Sequence, residues 1–124
     1  MIDFQKANFV KLRPVDNEYF AGYVSGMLLD NEEIIQTYQS IRDGVIFTNA
    51  RIIAVNVQGI TGRKIDFTSL PYSKIQAFSV ETAGVFDLDS ELELWFSGLG
   101  KVKFEFVAEC NVSEICKTIS DFVL

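Results

Sequence analysis

Three arginines and a lysine fall where the chain is expected to turn: Arg42, Arg51, Arg63 and Lys64. A guanidinium offers a planar fork of donors that meets a carboxylate or a phosphate at two points. These side chains therefore either pair with carboxylates of the same or a neighbouring copy, or hold an anionic ligand. The run Gly59-Ile60-Thr61-Gly62-Arg63-Lys64 has the outline of a phosphate loop. It lacks the four-residue gap and the hydroxyl after the lysine that such loops carry. A strand follows it rather than a helix, whereas phosphate cradling uses free N–H groups at a helix start. A turn is the expectation there, and an anion site the alternative.

Carboxylates and thiols point less clearly to chemistry. Asp89, Glu91 and Glu93 share one phase of a strand, but lysines stand close by and no apolar pocket is evident to shift their pKa values. The chain has no histidine, so the commonest general base is absent. No nucleophile-elbow, zinc-protease or Walker pattern occurs. Cys110 and Cys116 lie too far apart around one helix for a disulfide and read as buried thiols. Without histidine or a paired-cysteine motif there is nothing to build a zinc site on. The expectation is no enzyme, no metal and no cofactor.

The balance of charges narrows the partners. Among 124 residues, 17 are acidic and 11 basic, for a net charge of −6. That disfavours nucleic acid and makes a membrane partner an unlikely expectation, since both need clustered Lys and Arg. A local basic patch can still exist on an acidic protein. No apolar run reaches the roughly 18 residues that span a bilayer, and charges interrupt any signal-peptide core near the N-terminus. A cytoplasmic location is the expectation.

These side chains must be positioned by a mostly β framework. Val45–Thr48 and Arg51–Val57 read as a hairpin around Asn49-Ala50, with Asn supplying positive φ. Ile34–Ile41 precedes it, with Arg42-Asp43-Gly44 as the turn. Lys64–Thr68 and Ile75–Val80 follow, separated by a break at Pro71. Leu92, Leu94 and Phe96 alternate with Glu91, Glu93 and Trp95, and Val102, Phe104 and Phe106 with Lys101, Lys103 and Glu105. This is the clearest hairpin. It leaves Trp95 on the polar face, either as an interface residue or lying under lysine stems. Asn111 caps a last helix, with Glu114 in capping-box position. Residues Met1 to Pro14 form a lead-in, either a short amphipathic element or an unpacked end.

The segment after Asp16 or Asn17 has a helical period: Tyr19, Phe20, Tyr23, Val24, Met27 and Leu28. Gly22 and Gly26 lie opposite, and no charge occurs from Tyr19 to Leu29. A surface helix normally shows charge on its outer face. This one is expected either to pack on its own domain with a bland outer side or to dock on another subunit. Tyr19, Gly22, Tyr23, Gly26 and Met27 are the candidate contacts, with Trp95 a separate one.

Seven strands followed by one helix is the element order of a pleckstrin-homology fold. The residues resemble the bacterial pleckstrin-homology domains, a family formerly of unknown function. The motifs carrying the resemblance are Arg42-Asp43, Phe47-Thr48-Asn49-Ala50-Arg51, Gln58 to Lys64, Leu70-Pro71-Tyr72, and Phe78 to Asp87. It covers roughly Leu29 to Leu124. The resemblance implies a barrel or sandwich of seven antiparallel strands capped by a C-terminal α-helix, with an N-terminal helix before it. It also implies closed homo-oligomeric rings, pentamers among them. It does not imply lipid binding: phosphoinositide-holding relatives use a Lys/Arg cluster at the first strand turn, where this chain has Arg42 beside Asp43.

The sequence thus predicts a single domain, with residues 1–29 as a helical extension and 30–124 as the β domain. Its expected role is a non-enzymatic interaction or scaffold module that self-assembles into a homo-oligomer, with a protein partner not specified. The alternative is a binding domain for an anionic lipid or phosphorylated small ligand, held by Arg42, Arg51, Arg63 and Lys64.

Overall fold

Alternating apolar and polar residues become strand along most of the chain. In a computed structural model, residues 1–7, 9–86 and 88–124 are described. Asp87, the last residue of the resemblance motif, lies outside the described residues. The strands are β1 (Phe9–Val15), β2 (Ile34–Ser40), β3 (Asp43–Thr48), β4 (Arg51–Gln58), β5 (Lys64–Pro71), β6 (Ile75–Glu81), β7 (Ser90–Phe96) and β8 (Gly100–Phe106). A one-turn helix, α1 (Ala21–Val24), follows β1, and α2 (Val112–Val123) ends the chain.

The eight strands form one curled sheet in the order β5-β4-β3-β2-β1-β8-β7-β6. β1 is the junction. It runs antiparallel to β2 and parallel to β8. Its partners on β8 are Phe104 for Phe9 and Phe106 for Leu12, so one extra residue bulges on β1. Lys11 takes the positive φ, 56°, that the bulge requires. The inner face of the curl is filled by Leu12, Phe47, Ile52, Leu92, Phe104 and Phe106, with Ile115 and Ile119 of α2 closing one end. Asn111 Oδ1 accepts the Ser113 and Glu114 N–H groups at 3.1 and 3.3 Å and starts α2 as expected.

A second, smaller apolar layer lies on the outer face of β3 and β4. Phe20 and Val24 cover Ile46, Ile53 and Val55 there. This explains the weak alternation of these strands, which are buried on both sides.

Three expectations need correction. The strand count is eight rather than seven, because the lead-in supplies β1 where an amphipathic element or a loose end was expected. The helix expected from Tyr19 to Leu29 is the single turn α1. Phe20, at its N-cap, makes no side-chain capping bond, and Gly22 and Gly26 lower helix propensity on either side. Asp16 instead closes a local turn through the Glu18 N–H at 2.8 Å. The turn before β3 is Ile41-Arg42, since Ser40 pairs with Asp43. Gly44 lies within β3, where a Cβ would stand 2.2 Å from the Phe20 ring.

Candidate functional site

Arg51 begins β4 and meets a carboxylate from the segment before β2. Its Nε donates to Glu32 Oε2 at 2.9 Å and its Nη2 to Oε1 at 2.8 Å. Nη1 reaches Ser69 Oγ at 3.0 Å, and Nη2 also donates to the Met27 carbonyl at 2.9 Å. The Thr48 hydroxyl adds a bond to Glu32 Oε2 at 2.6 Å. Burial of Glu32 would raise its pKa. The bonds from Arg51, Thr48 and the Leu29 N–H outweigh that and bring it down to about 2. Asn49 completes the clamp: its Oδ1 accepts the Glu33 N–H at 2.9 Å and its Nδ2 donates to Asn31 O at 3.0 Å. The expected positive φ at Asn49 is absent from the turn. The residue acts through its side chain.

Arg42 lies at the other end of the strands. Its Nη1 donates to Gly59 O at 2.7 Å, tying the β2–β3 turn to the β4–β5 turn. Gly59 and Gly62 have φ of 73° and 66°, values that favour glycine. Beside them is a groove of about 280 Å³ lined by Tyr19, Tyr23, Ile41, Arg42, Gly62 and Ile65, among others. The structure thus brings Arg42 together with Tyr19 and Tyr23. Arg63 and Lys64 are exposed on the adjoining turn. Arg51 is not brought to this group.

Tyr19, Tyr23, Met27 and Leu29 are all exposed, Tyr23 by 57%. A Cβ added at Gly22 or Gly26 would meet nothing within 4 Å. The exposed side of the Tyr19–Leu29 segment is therefore open and apolar and carries no charged residue of its own, with Arg42 in the groove beside Tyr19 and Tyr23. Trp95 stands apart on the β7–β8 face, 50% exposed and paired in register with Ala77 and Lys101. Lys103 meets Glu91 at 3.2 Å and Lys101 meets Glu93 at 3.9 Å on the same face. Cys110 and Cys116 are half-buried and free. Burial pushes the Cys110 thiol up to about 11, so it is protonated at neutral pH.

The sequence reading missed Glu32, which with Glu33 reads only as a lead into the Ile34–Ile41 strand. It also missed Ile41, Ile60, Val85 and Phe86, four apolar side chains that stand in water. The signal at Ile60, Val85 and Phe86 is an apolar residue beside turn glycines, outside any strand period, whereas Ile41 reads as the end of the Ile34–Ile41 strand.

The model of the bacterial PH domain family matches residues 3–123. The chain belongs to the bacterial PH domain family. The fold is PH-like, mainly β with its C-terminal helix, as the resemblance implied. A DUF1696-family protein with a pleckstrin-homology domain from Shewanella loihica superposes with a TM-score of 0.82 at 40% identity, covering 93% of this chain and 99% of that one. A pleckstrin-homology domain from Shewanella amazonensis gives 0.68 at 40% identity, covering 98% and 97%. The uncharacterized protein YjqA of Bacillus subtilis is 45% identical over 96 residues, 76% of this chain and 77% of that protein. Among the described residues no helix is long and apolar enough to cross a membrane.

Proposed function

We propose that this bacterial PH domain is a non-enzymatic interaction module that assembles with copies of itself. The observation that carries the reading is the Tyr19–Leu29 face, which is exposed, apolar and without a charge over its whole length. Contiguous exposed apolar surface of this kind marks interaction sites. The sheet supplies a second means, because β5 and β6 are its two edges. An edge strand offers unpaired N–H and C=O groups to another chain. Contacts between two different edges are head-to-tail and close into a ring when the rotation permits. Trp95 lies beside the β6 edge and belongs to the same reading.

The test is native mass spectrometry with light scattering at low micromolar concentration. A discrete oligomer that falls apart on Tyr23→Asp or Gly22→Asp is the expected result. Variants that keep the wild-type mass exclude this face as the contact, and a monomeric wild type removes the reading.

A second reading is favoured by the meeting of Arg42 with the Gly59–Gly62 turn. It is an anionic ligand held by Arg42, Arg63 and Lys64. Arg51 drops out, because Glu32 already occupies its fork. A thermal-shift panel of phosphorylated compounds tests it, and unchanged melting across the panel counts against it.

A further inference from the structure

Tyr38 and Tyr72 are both buried, 6% and 2% exposed. A buried phenol normally finds a hydrogen-bond partner, and the Tyr72 hydroxyl donates to Thr48 O at 2.7 Å. The Tyr38 hydroxyl has no such partner among the described residues. Nor is it sealed off. Among the described residues, the sealed side-chain polar atoms without a partner are Thr37 Oγ1 and Ser90 Oγ. The Tyr38 ring is held edge-on against Phe47 and Phe106, and it opens on a cleft of about 260 Å³ between β2 and α2.

Two features shape this cleft. α2 packs away from β2, on β6, β7 and the turn after β5, where Phe122 stacks on Tyr72 with ring centres 5.0 Å apart. β2 carries a bulge, since Ile34 and Gln36 pair with the consecutive residues Thr48 and Phe47 of β3. Ile35, the extra residue, lines the cleft together with its neighbour Gln36, whereas adjacent residues of a regular strand face opposite sides. Tyr38, Phe47 and Ile115 form the buried floor. Glu114, Lys117 and Asp121, exposed along one stripe of α2, form the rim.

The lining defines what fits. A cavity of about 150 Å³ holds a benzene ring, so this one takes about ten non-hydrogen atoms. An apolar floor with a single phenol suits a flat hydrocarbon body. The rim sets two carboxylates against one lysine, on a chain of net charge −6, and so favours a cation over an anion. Burial raises the Tyr38 pKa well above the ordinary tyrosine range, and Cys110 and Glu114 add to the rise. The hydroxyl is therefore neutral at neutral pH, and its oxygen can accept an ammonium N–H.

We propose that the β2–α2 cleft binds a small organic cation, an ammonium group on an aromatic body. The body lies on Phe47 and Ile115, the ammonium donates to the Tyr38 hydroxyl, and Glu114 and Asp121 balance its charge. None of the lining residues belongs to the Tyr19–Leu29 face or to the groove beside Arg42. The proposal is therefore independent of self-assembly and of the anionic-ligand reading.

Titration calorimetry with two probes tests it. 2-Phenylethylamine has the size and the charge, and 3-phenylpropionate presents a carboxylate on a similar body. The amine should bind the wild-type chain, and the acid should bind about tenfold more weakly or not at all. Tyr38→Phe removes an unpartnered hydroxyl and leaves the ring packing, so it should keep the melting temperature and weaken the amine about fivefold. Glu114→Gln should weaken it about threefold and reduce its salt dependence. Thr118→Phe fills the cleft from α2 and should abolish binding; if that variant does not fold, Tyr38→Phe carries the test. A wild type that takes up no amine at millimolar concentration overturns the proposal. So does equal affinity in Tyr38→Phe and wild type, or a preference for the acid. Light scattering on the same samples reads assembly separately: a monomer that binds the amine removes the assembly reading and keeps this one, and an oligomer that ignores the amine does the reverse.

Discussion

Glu32 keeps its negative charge at a place where burial by itself would raise its pKa. The Arg51 fork, the Thr48 hydroxyl and the Leu29 N–H hold it ionised. Its folded pKa of about 2 lies below the ordinary 4.5. A depressed carboxylate gives stability that is fully present above the ordinary value and is lost as pH falls through the folded one. Urea unfolding should therefore show this contribution intact at neutral pH and shrinking between about 4.5 and about 2. Glu32→Gln should flatten that acid limb and destabilise the chain by roughly 3 kcal/mol, because Arg51 is left half-buried without its charge partner. Equal stability of variant and wild type at neutral pH would show the clamp to be idle. Ile41 is the opposite case. Asn tolerates its φ of 51°, so Ile41→Asn should stabilise by about 1 kcal/mol and raise Tm by roughly 4 °C. An unchanged or lower Tm by calorimetry would mean that the isoleucine has a packing role after all. Both residues show what a sequence hides at this scale. Arg51 was readable as a cation near a turn, with a carboxylate or a ligand as its partner. Which of the two it met depended on the chain folding Glu32, 19 positions earlier, beneath it.

Elements were legible where their period was local and regular. The β7–β8 hairpin alternates without interruption, and α2 announces itself with Asn111. β1 was not legible, for a physical reason. Its buried residues Phe9 and Leu12 are three apart because Lys11 sits in a bulge, so the strand period is broken and the spacing resembles that of a short amphipathic element. Pro14 lowers strand propensity further. The strand exists because β2 and β8 both offer it an edge, and no local window contains that information. Similarly, the Tyr19–Leu29 period is real but describes one buried side, Phe20 and Val24, rather than three helical turns. The close fit of that side predicts an outcome for Gly44. A methyl group there would stand 2.2 Å from Phe20 Cε2 and 2.9 Å from the Tyr38 carbonyl oxygen. The ring can swing away, but the backbone cannot. Gly44→Ala should cost about 2 kcal/mol in denaturant unfolding. The displaced Phe20 should also speed hydrogen exchange at Tyr23 and Val24, whose N–H groups donate to the Phe20 carbonyl at 2.9 and 3.2 Å. Exchange confined to other strands would place the strain elsewhere.

At the scale of the whole molecule, the apolar surface is divided unevenly. One side of the Tyr19–Leu29 segment closes the outer layer over β3 and β4, and the other side faces water with four large apolar residues and no charge. A domain whose cover is apolar on both sides is stabilised further when a second copy covers the outer one. That coupling has a measurable consequence, since anything that binds only the folded state raises its apparent stability by mass action. Under the proposed self-assembly the partner is a second copy of the chain, so protein concentration is the variable. A tenfold rise in concentration is worth about 1.4 kcal/mol per contact. The thermal midpoint should accordingly climb by roughly 5 °C for each decade of protein concentration. Tyr23→Asp places a charge in the middle of the face, where no acidic or basic side chain stands in the native sequence. Its midpoint should be independent of concentration and should match that of the wild type at the dilute limit. A wild-type midpoint that is flat with concentration would separate the two sides of the segment. The inner side would then serve the fold, and the outer side would contribute nothing through self-contact at the concentrations tested.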